Sequence, residues 1–384
     1  MTKLFEFFKK YKLKRYVNYI AISFVLILFS SLTLTGSLKQ SVLYLLEKIG
    51  IAIILSVSLG LVVGFLGELS LGHAGFMCIG AYMGGKVSVL LAQSAVGDGV
   101  VNLLISVVVG ALCAALLGFV VGLPALRLKG DYLAIVTLAF CEIVKTVFQN
   151  SSKESFGGPM GLRTPRFDKH YLFIIIFVFI LICLAVMQNF IRSKHGRAIT
   201  AIRDNEIAAR ATGINVTKYK LSAFIISAAF AGVAGVMYSF SNSTVSSAAF
   251  DYNYSIEILV MVVLGGMGNI TGGIISAAVI TFLNVKLTTL LSGDNAVLKD
   301  LFYALILIVI VIYNNAPSLK FIREKYNFKA ITHKLFDRKH DHAYDAGDEG
   351  KWDRVPTKIS MDELLSVDIV VRESVVDPDK GGKE

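Results

Sequence analysis

The stretch GELSLGHAGFMCIGAYMGG, residues 67–85, interrupts a sequence dominated by leucine, isoleucine, valine and phenylalanine. It contains six glycines, and Glu68, Ser70 and His73 place an acid, a hydroxyl and an imidazole among apolar neighbours. Non-helical backbone at membrane depth is tolerated only where it is buried in protein or lines a water-filled cavity. The stretch therefore predicts a glycine-broken membrane segment whose polar side chains serve a purpose.

The overall composition is that of a membrane protein. The 384 residues are 55% hydrophobic and 17% charged, with a mean hydropathy of +0.66, whereas soluble chains are roughly 45–50% apolar and about 25% charged. Apolar runs long enough to cross ~30 Å of hydrocarbon occur at 16–36, 41–66, 98–123, 131–148, 171–191, 219–240 and 298–314. We therefore expect an all-α polytopic membrane protein with about ten transmembrane or half-membrane helices within residues 16–316.

The net charge of +10 is placed beside the apolar runs rather than on a nucleic-acid-binding face. The basic clusters are Lys9, Lys10, Lys12, Lys14 and Arg15; Arg192, Lys194, Arg197 and Arg203; and Lys320, Arg323 and Lys325. Cytoplasmic loops of membrane proteins are enriched in lysine and arginine. This pattern predicts a basic cytosolic N-terminus (1–15), a charged cytosolic tail (317–384), and no nucleic-acid partner.

A second glycine cluster lies in the other half of the chain, in IEILVMVVLGGMGNITGG (256–273). About ten apolar residues precede it, too few for a normal crossing, so we expect a hairpin of half-helices around Gly265–Gly273. Breaks in matching halves of a membrane chain indicate a transport path. The candidate path or gate residues are Glu68, Ser70, Gly72, His73, Gly266, Gly268 and Asn269. The alternative is that the glycines allow close helix packing, as Gly80 and Gly84 would.

Other polar residues in the apolar runs have simpler interpretations. Glu142 and Lys145 are three residues apart on one predicted helix and can form an ion pair. Glu257 is expected at the membrane interface rather than along the path. The four cysteines (Cys78, Cys113, Cys141, Cys183) have no metal-ligand spacing and are expected to be small buried hydrophobes, so no metal site is predicted.

The basic loop GRAITAIRDNEIAARATGINVTKYK (196–220) predicts a short helix over 197–212 that ends at Gly213. A charge ladder along one face is formed by Arg203, Glu206 and Arg210. An exposed apolar strip is expected from Ile199, Ile202 and Ala209. Such a helix suits docking into a groove of a partner protein, with attachment to anionic lipid as the alternative.

The chain lacks the motifs of an energy-coupling enzyme. No G-x-x-x-x-G-K-[ST] is present, and GGMGNITGG (265–273) lacks the lysine that contacts phosphates in a P-loop. We therefore expect a transport protein that is not an enzyme and binds no cofactor. Its energy would come from a gradient or from another chain.

Several stretches together resemble the LivM-type permease subunit of branched-chain amino-acid ABC importers. They cover about residues 60–285 and include GELSLGHAGFMCIGAY, LRLKGDYLAIVTLAFCEIVK, GGPMGL, the 196–220 loop with its continuation to Tyr238, and LGGMGNITGGIISAA. The resemblance implies that 197–213 is the coupling helix that docks on the ATPase. Its pattern EAA-x-x-x-G is matched, with Ile207 as an extra residue, by Glu206, Ala208, Ala209 and Gly213, and Arg203 precedes it. The family commonly has glutamine where this chain has Glu68.

The resemblance also implies partners and a location. The partners would be two ABC ATPase subunits carrying ATP and Mg, a second permease of the LivH type, an extracytoplasmic substrate-binding protein and the lipid bilayer. The location would be the bacterial inner (plasma) membrane, with many crossings and both termini cytoplasmic. Substrates would be branched-chain or related amino acids, moved by alternating access.

Three other functions remain open at this level. A related ABC importer would carry urea, amides or nucleosides. A proton-coupled secondary transporter would use Glu68 and His73 as a relay. A non-transporting scaffold or receptor would act through the tail.

Overall fold

The computed structural model describes residues 17–34, 39–93, 97, 99–128, 130–165, 167 and 169–290, together with 304, 305 and 308. The predictions for the N-terminus (1–15) and the tail (317–384), and most of the span at 298–314, lie outside the described residues. They stay predictions.

The described residues are almost entirely helical. The α-helices are α1 Val17–Leu34, α2 Gln40–Gly60, α3 His73–Ala92, α4 Val100–Ala125, α5 Asp131–Gln149, α6 Lys153–Phe156, α7 Lys169–Arg192, α8 Lys194–Asp204, α9 Glu206–Ala211, α10 Val216–Ser241, α11 Tyr252–Gly265 and α12 Ile270–Leu290. Two short strands, β1 Leu162–Arg163 and β2 Thr244–Val245, pair antiparallel with Leu162 opposite Val245.

Seven described helical segments are long and apolar enough to cross a membrane. They are Gln40–Leu66, His73–Ala92, Val100–Ala125, Tyr171–Arg192, Val216–Ser241, Ser247–Gly265 and Ile270–Leu290. The predicted class, an all-α polytopic membrane protein, is confirmed, and the count of about ten crossings stays a prediction.

Small residues set the packing of the central helices. α10 lies against α2, α3 and α4. A Cβ added to Gly80 on α3 would lie 2.2 Å from the carbonyl oxygen of Gly232 on α10, and one on Gly84 would lie 2.5 Å from Cγ2 of Val236. The expectation that Gly80 and Gly84 allow close helix approach is therefore confirmed.

The first break lies within the predicted range, residues 64–75, but it falls between two spans. α2 is followed without a break by a π-helical turn, Leu61–Leu66, which is counted with α2 from here on, and the helix ends at Gly67, whose φ of +79° favours glycine. The non-helical residues 67–72 then join it to α3, which is continuous from His73. The glycines therefore separate two complete spans instead of breaking one in the middle.

The second break is the expected hairpin, with one correction. α11 and α12 pack together around a turn at 266–269, where Gly266 and Gly268 have φ of +87° and +82°. The α11 helix has 14 residues, but α12 has 21, about 32 Å at 1.5 Å per residue. The expectation of two half-helices is wrong for the second arm, because the helix continues past the polar Asn284 and Lys286.

Candidate functional site

The segment predicted as one helix over 197–212 is two helices. α8 ends at Asp204, Asn205 has extended backbone (φ −159°, ψ 103°), and α9 begins at Glu206. The Asn205 side-chain oxygen accepts hydrogen bonds of 3.0 Å from the backbone N–H groups of Ile207 and Ala208. Asparagine is a favoured N-cap because its side chain satisfies such N–H groups, so it starts a new helix here. We call residues 194–213 the coupling hairpin, after the role that the family resemblance leads us to expect.

The exposed apolar strip predicted on this segment is wrong. Ile199, Ile202 and Ala209 are buried, and Ile202 and Ala209 form a small apolar cluster with Val216 of α10. Ile199 and Ile202 lie on α8 and Ala209 lies on α9, so both helices bury apolar side chains. The side chain that does face outward is Ile207, which is 81% exposed. Ala208 is also exposed, and Gly213 ends the hairpin with φ of +86°.

The predicted charge ladder is only partly formed. Arg210 donates to Glu206 at 2.8 Å, one turn along α9. Arg203 instead pairs with Asp204 at 3.1 Å, because the bend at Asn205 separates it from the face of α9.

Glu206 also takes part in a buried ion cluster that joins three parts of the chain. The Lys220 ammonium, on α10, donates to Glu68 at 2.5 Å and to Glu206 at 3.2 Å. The Lys220 side chain is only 5% exposed. A buried charge is costly unless it is paired and hydrogen-bonded. Glu68 therefore lies beside the coupling hairpin and neutralises Lys220.

The two glycine turns meet under the same hairpin. Arg203 Nη1 donates to the carbonyl oxygen of Gly64 at 3.0 Å, and a Cβ on Gly67 would lie 2.6 Å from Arg203 Cγ. A Cβ on Gly64 would lie 2.4 Å from the backbone nitrogen of Gly268. The structure thus brings both predicted breaks and the predicted coupling segment into one region.

The remaining predicted path residues lie in closely packed surroundings. His73 is buried, with Nε2 3.0 Å from the Ser58 hydroxyl and 3.3 Å from the Ser227 hydroxyl. The Ser70 hydroxyl and His73 Nδ1 have no hydrogen-bond partner among the described residues.

Gly72 packs against α5, since a Cβ there would lie 2.9 Å from the Thr137 carbonyl oxygen. Gly266, Gly268 and Asn269 border a cavity of only about 20 Å³. That these residues line a path stays a prediction.

A larger cavity, of about 780 Å³, lies at the other end of the bundle. α2 runs from Gln40 at this cavity to Leu66 beside the hairpin. The charged residues lining it are Lys48 and Glu257; Lys48 was not predicted, and Glu257 was expected only at the interface. A usable sequence signal was the charge of Lys48 within the apolar run 41–66.

Two minor predictions are confirmed, the second for three of the four cysteines. Lys145 and Glu142 form an ion pair at 3.2 Å. Cys78, Cys141 and Cys183 are buried free thiols, while Cys113 is partly buried. Across the described part of the chain, no group of three or more His, Cys, Asp or Glu side chains is arranged to hold a metal ion.

Comparison with known proteins places the chain in a family. The family described as "Branched-chain amino acid transport system / permease component" matches residues 41–311. The chain belongs to this family. Its members are named as permeases, and the LivM resemblance stated from the sequence is confirmed.

Individual relatives are also named as permeases. The high-affinity branched-chain amino acid transport system permease protein LivM of Escherichia coli K12 is 38% identical over 57% of this chain and 57% of its own length. The probable LivM of Methanocaldococcus jannaschii is 28% identical over 62% of this chain and 78% of its own. The ribose import permease RbsC of E. coli K12 is 25% identical over 56% of this chain and 70% of its own length. The match spans less than two thirds of the E. coli LivM protein, and no solved structure matches the chain.

Proposed function

We propose that this chain is a permease subunit of an ABC importer for branched-chain or related amino acids. The observation that supports this most directly is the coupling hairpin. It presents Ile207 outward and is fixed on its inner side by buried apolar contacts, by the Lys220 ion cluster and by the Arg203 hydrogen bond to Gly64. An exposed apolar side chain on a short, firmly seated helix is suited to insertion into a groove on another protein.

In this proposal the hairpin transmits the movement of an ATPase subunit. A displacement of α9 acts on Glu206 and so on Lys220 and Glu68, while α8 acts through Arg203 on Gly64. Gly64 contacts the turn between α11 and α12 at Gly268. The spans Gln40–Leu66 and Val216–Ser241 and the turn between α11 and α12 therefore receive the displacement, which supports a tilting of these helices between inward-open and outward-open states of an alternating-access cycle.

The proposed complex contains two ABC ATPase subunits, which bind ATP and Mg, a LivH-type permease and an extracytoplasmic binding protein. The proposed setting is a bacterial plasma membrane, with the hairpin and both chain termini in the cytoplasm. The 780 Å³ cavity then opens toward the side from which an importer takes substrate.

Capture of the ATPase subunits tests the docking role. Ile207→Asp replaces an 81% exposed isoleucine with a charge and should abolish both ATPase copurification and ATP-driven leucine uptake. The matched control is Met160→Asp, at a 74% exposed methionine in the 3₁₀ turn Gly158–Met160, and it should retain the ATPases. Unchanged ATPase capture by Ile207→Asp would contradict the docking role.

The alternative of a proton relay makes a different prediction. In the described structure Glu68 pairs with Lys220 and His73 with two serines, and no hydrogen bond joins Glu68 to His73. Uptake by the chain alone that collapses with a protonophore, without added ATPases, would favour the relay over the importer.

A further inference from the structure

The cavity at the end opposite the coupling hairpin has the size of a ligand site. Its volume is about 780 Å³, within the roughly 300–1,000 Å³ of typical small-molecule pockets. Along α2 its lining extends from Gln40 to Ala52, about 18 Å at 1.5 Å per residue. The cavity therefore reaches well into the span.

Two opposite charges line this cavity from different helices, Lys48 on α2 and Glu257 on α11. A charged side chain within a span costs roughly 2.5–3.5 kcal/mol on insertion scales, and such residues usually face a cavity or pathway. Neither charge belongs to the ion cluster at the hairpin.

Neighbouring side chains hold both charges in place. The Lys48 ammonium lies 4.4 Å from the centre of the Tyr238 ring and 5.3 Å from that of Tyr44. Aromatic faces attract cations without neutralising them. The Asn284 amide donates to Glu257 at 2.8 Å, which orients the carboxylate.

The deeper wall of the cavity is apolar and includes Ala52, Met77 and Met261. Methionine adapts to apolar groups of different shape because it is unbranched and polarizable. One fixed cation, one fixed anion and an apolar wall thus face a common space.

We propose that this cavity binds amino acids as zwitterions. The Lys48 ammonium receives the substrate carboxylate, Glu257 receives the substrate ammonium, and the apolar wall receives the aliphatic side chain. The inference rests on the proposed transport function, and it adds a recognition site within the permease itself. Binding of the amino acid at this site is non-covalent.

The competing explanation is that Lys48 is already neutralised within the protein, because the neighbouring carboxylate of Glu47 and that of Glu257 both attract it electrostatically. The two explanations differ in how the charge of the ligand matters. In a zwitterion site, removing one protein charge weakens the binding of only those ligands that carry the opposite charge. If the two charges are purely structural, removing either one weakens the binding of all ligands equally.

The test uses the assembled permease–ATPase complex in nanodiscs without its binding protein. Radiolabelled leucine is the probe, and the competitors are 4-methylpentanoate, which lacks the ammonium, and 3-methylbutylamine, which lacks the carboxylate. Lys48→Gln should weaken leucine and 4-methylpentanoate binding by about tenfold or more, the loss expected of a charged contact, and leave 3-methylbutylamine unchanged. Glu257→Gln should weaken leucine and 3-methylbutylamine and leave 4-methylpentanoate unchanged.

The matched control is Lys145→Gln on α5, since Lys145 pairs with Glu142 and is not among the residues lining the cavity; it should bind all three probes as the wild type does. The proposed site would be overturned if the affinity losses in the two variants did not depend on the charge of the probe, or if the wild type showed no saturable leucine binding. ATP-driven leucine uptake by the wild type with its binding protein is measured in parallel. If the wild type imports and both variants bind as it does, only the site is refuted; if the wild type does not import, the transport function and the site are refuted together.

Discussion

Lys220→Met keeps most of the volume of a buried side chain and removes the ammonium shared by Glu68 and Glu206. The two carboxylates are then left partly buried, with side-chain exposures of 13% and 20%, and they repel each other instead of meeting a common cation. Breaking a buried ion pair by removing one partner costs about 3–5 kcal/mol. Because both carboxylates retain some solvent contact, we expect the lower part of that range, about 3 kcal/mol.

Removing one carboxylate as well should recover part of this loss. Glu68→Gln alone removes the negative charge from the 2.5 Å contact but leaves Lys220 paired with Glu206, so its cost should be smaller. In Lys220→Met/Glu68→Gln the repulsion disappears, and the double variant should be more stable than the sum of the single changes by about 1–3 kcal/mol, the usual size of coupling between contacting residues.

The assay is equilibrium unfolding in mixed micelles with increasing SDS, on the four proteins of this cycle. ATP-driven leucine uptake by the assembled importer is measured alongside. Arg210→Met is the matched control, because Arg210 pairs with the same Glu206 but its side chain is 70% exposed, and such pairs contribute about 0–1 kcal/mol. If each single substitution lowered the free energy of unfolding by less than about 0.5 kcal/mol and the two effects were additive, this would refute the reasoning that the cluster holds the hairpin to the bundle.

Two further predictions concern the hairpin and the turns below it. Gly64→Ala places a methyl group 2.4 Å from the backbone of Gly268, so it should lower the free energy of unfolding by about 1–3 kcal/mol through overpacking and reduce uptake. The control is Gly60→Ala, whose methyl group meets nothing within 4 Å and should be neutral or stabilising by up to about 1 kcal/mol in the same unfolding assay. Similar losses in both variants would count against the Gly64–Gly268 contact. Asn205→Ala removes the cap of α9 and should destabilise the hairpin by about 1 kcal/mol, which would appear as faster amide hydrogen exchange at Ile207 and Ala208. The control Asn205→Asp keeps a capping oxygen and should retain the protection of these amides. Exchange in the alanine variant at the same rate as in the wild type would contradict the capping role.

The class of fold was predictable because it depends on local composition. Runs of apolar residues must be helical in a bilayer, and the glycines at 67 and 266–268 do end or reverse helices through positive φ values. The coupling segment was found from its charge and glycine pattern, and the family resemblance gave its role as an expectation.

The surroundings that were predicted wrongly depend on which helices pack together in the fold. Lys220 looks like an ordinary positive-inside residue, and only the fold brings Glu68 to it. Ile199 and Ile202 form an apolar stripe that could face a partner or the chain's own bundle, and periodicity does not distinguish the two. Glu257 was placed at the interface from its position near a segment end, whereas the cavity is formed by helices distant in sequence.

The direct connection of α2 to the coupling hairpin and to the cavity has a mechanical consequence. Gly64 touches Arg203 and Gly268 at one end of this helix, and Lys48 faces the cavity near the other. Sixteen residues separate Gly64 from Lys48, a lever arm of about 24 Å at 1.5 Å per residue. A tilt of about 5° about the seat of the hairpin therefore swings the backbone at Lys48 through about 2 Å, comparable to the 1–2 Å helix shifts of known switching transitions. An angular change of this size is thus large enough to alter a hydrogen-bonding distance at the far end.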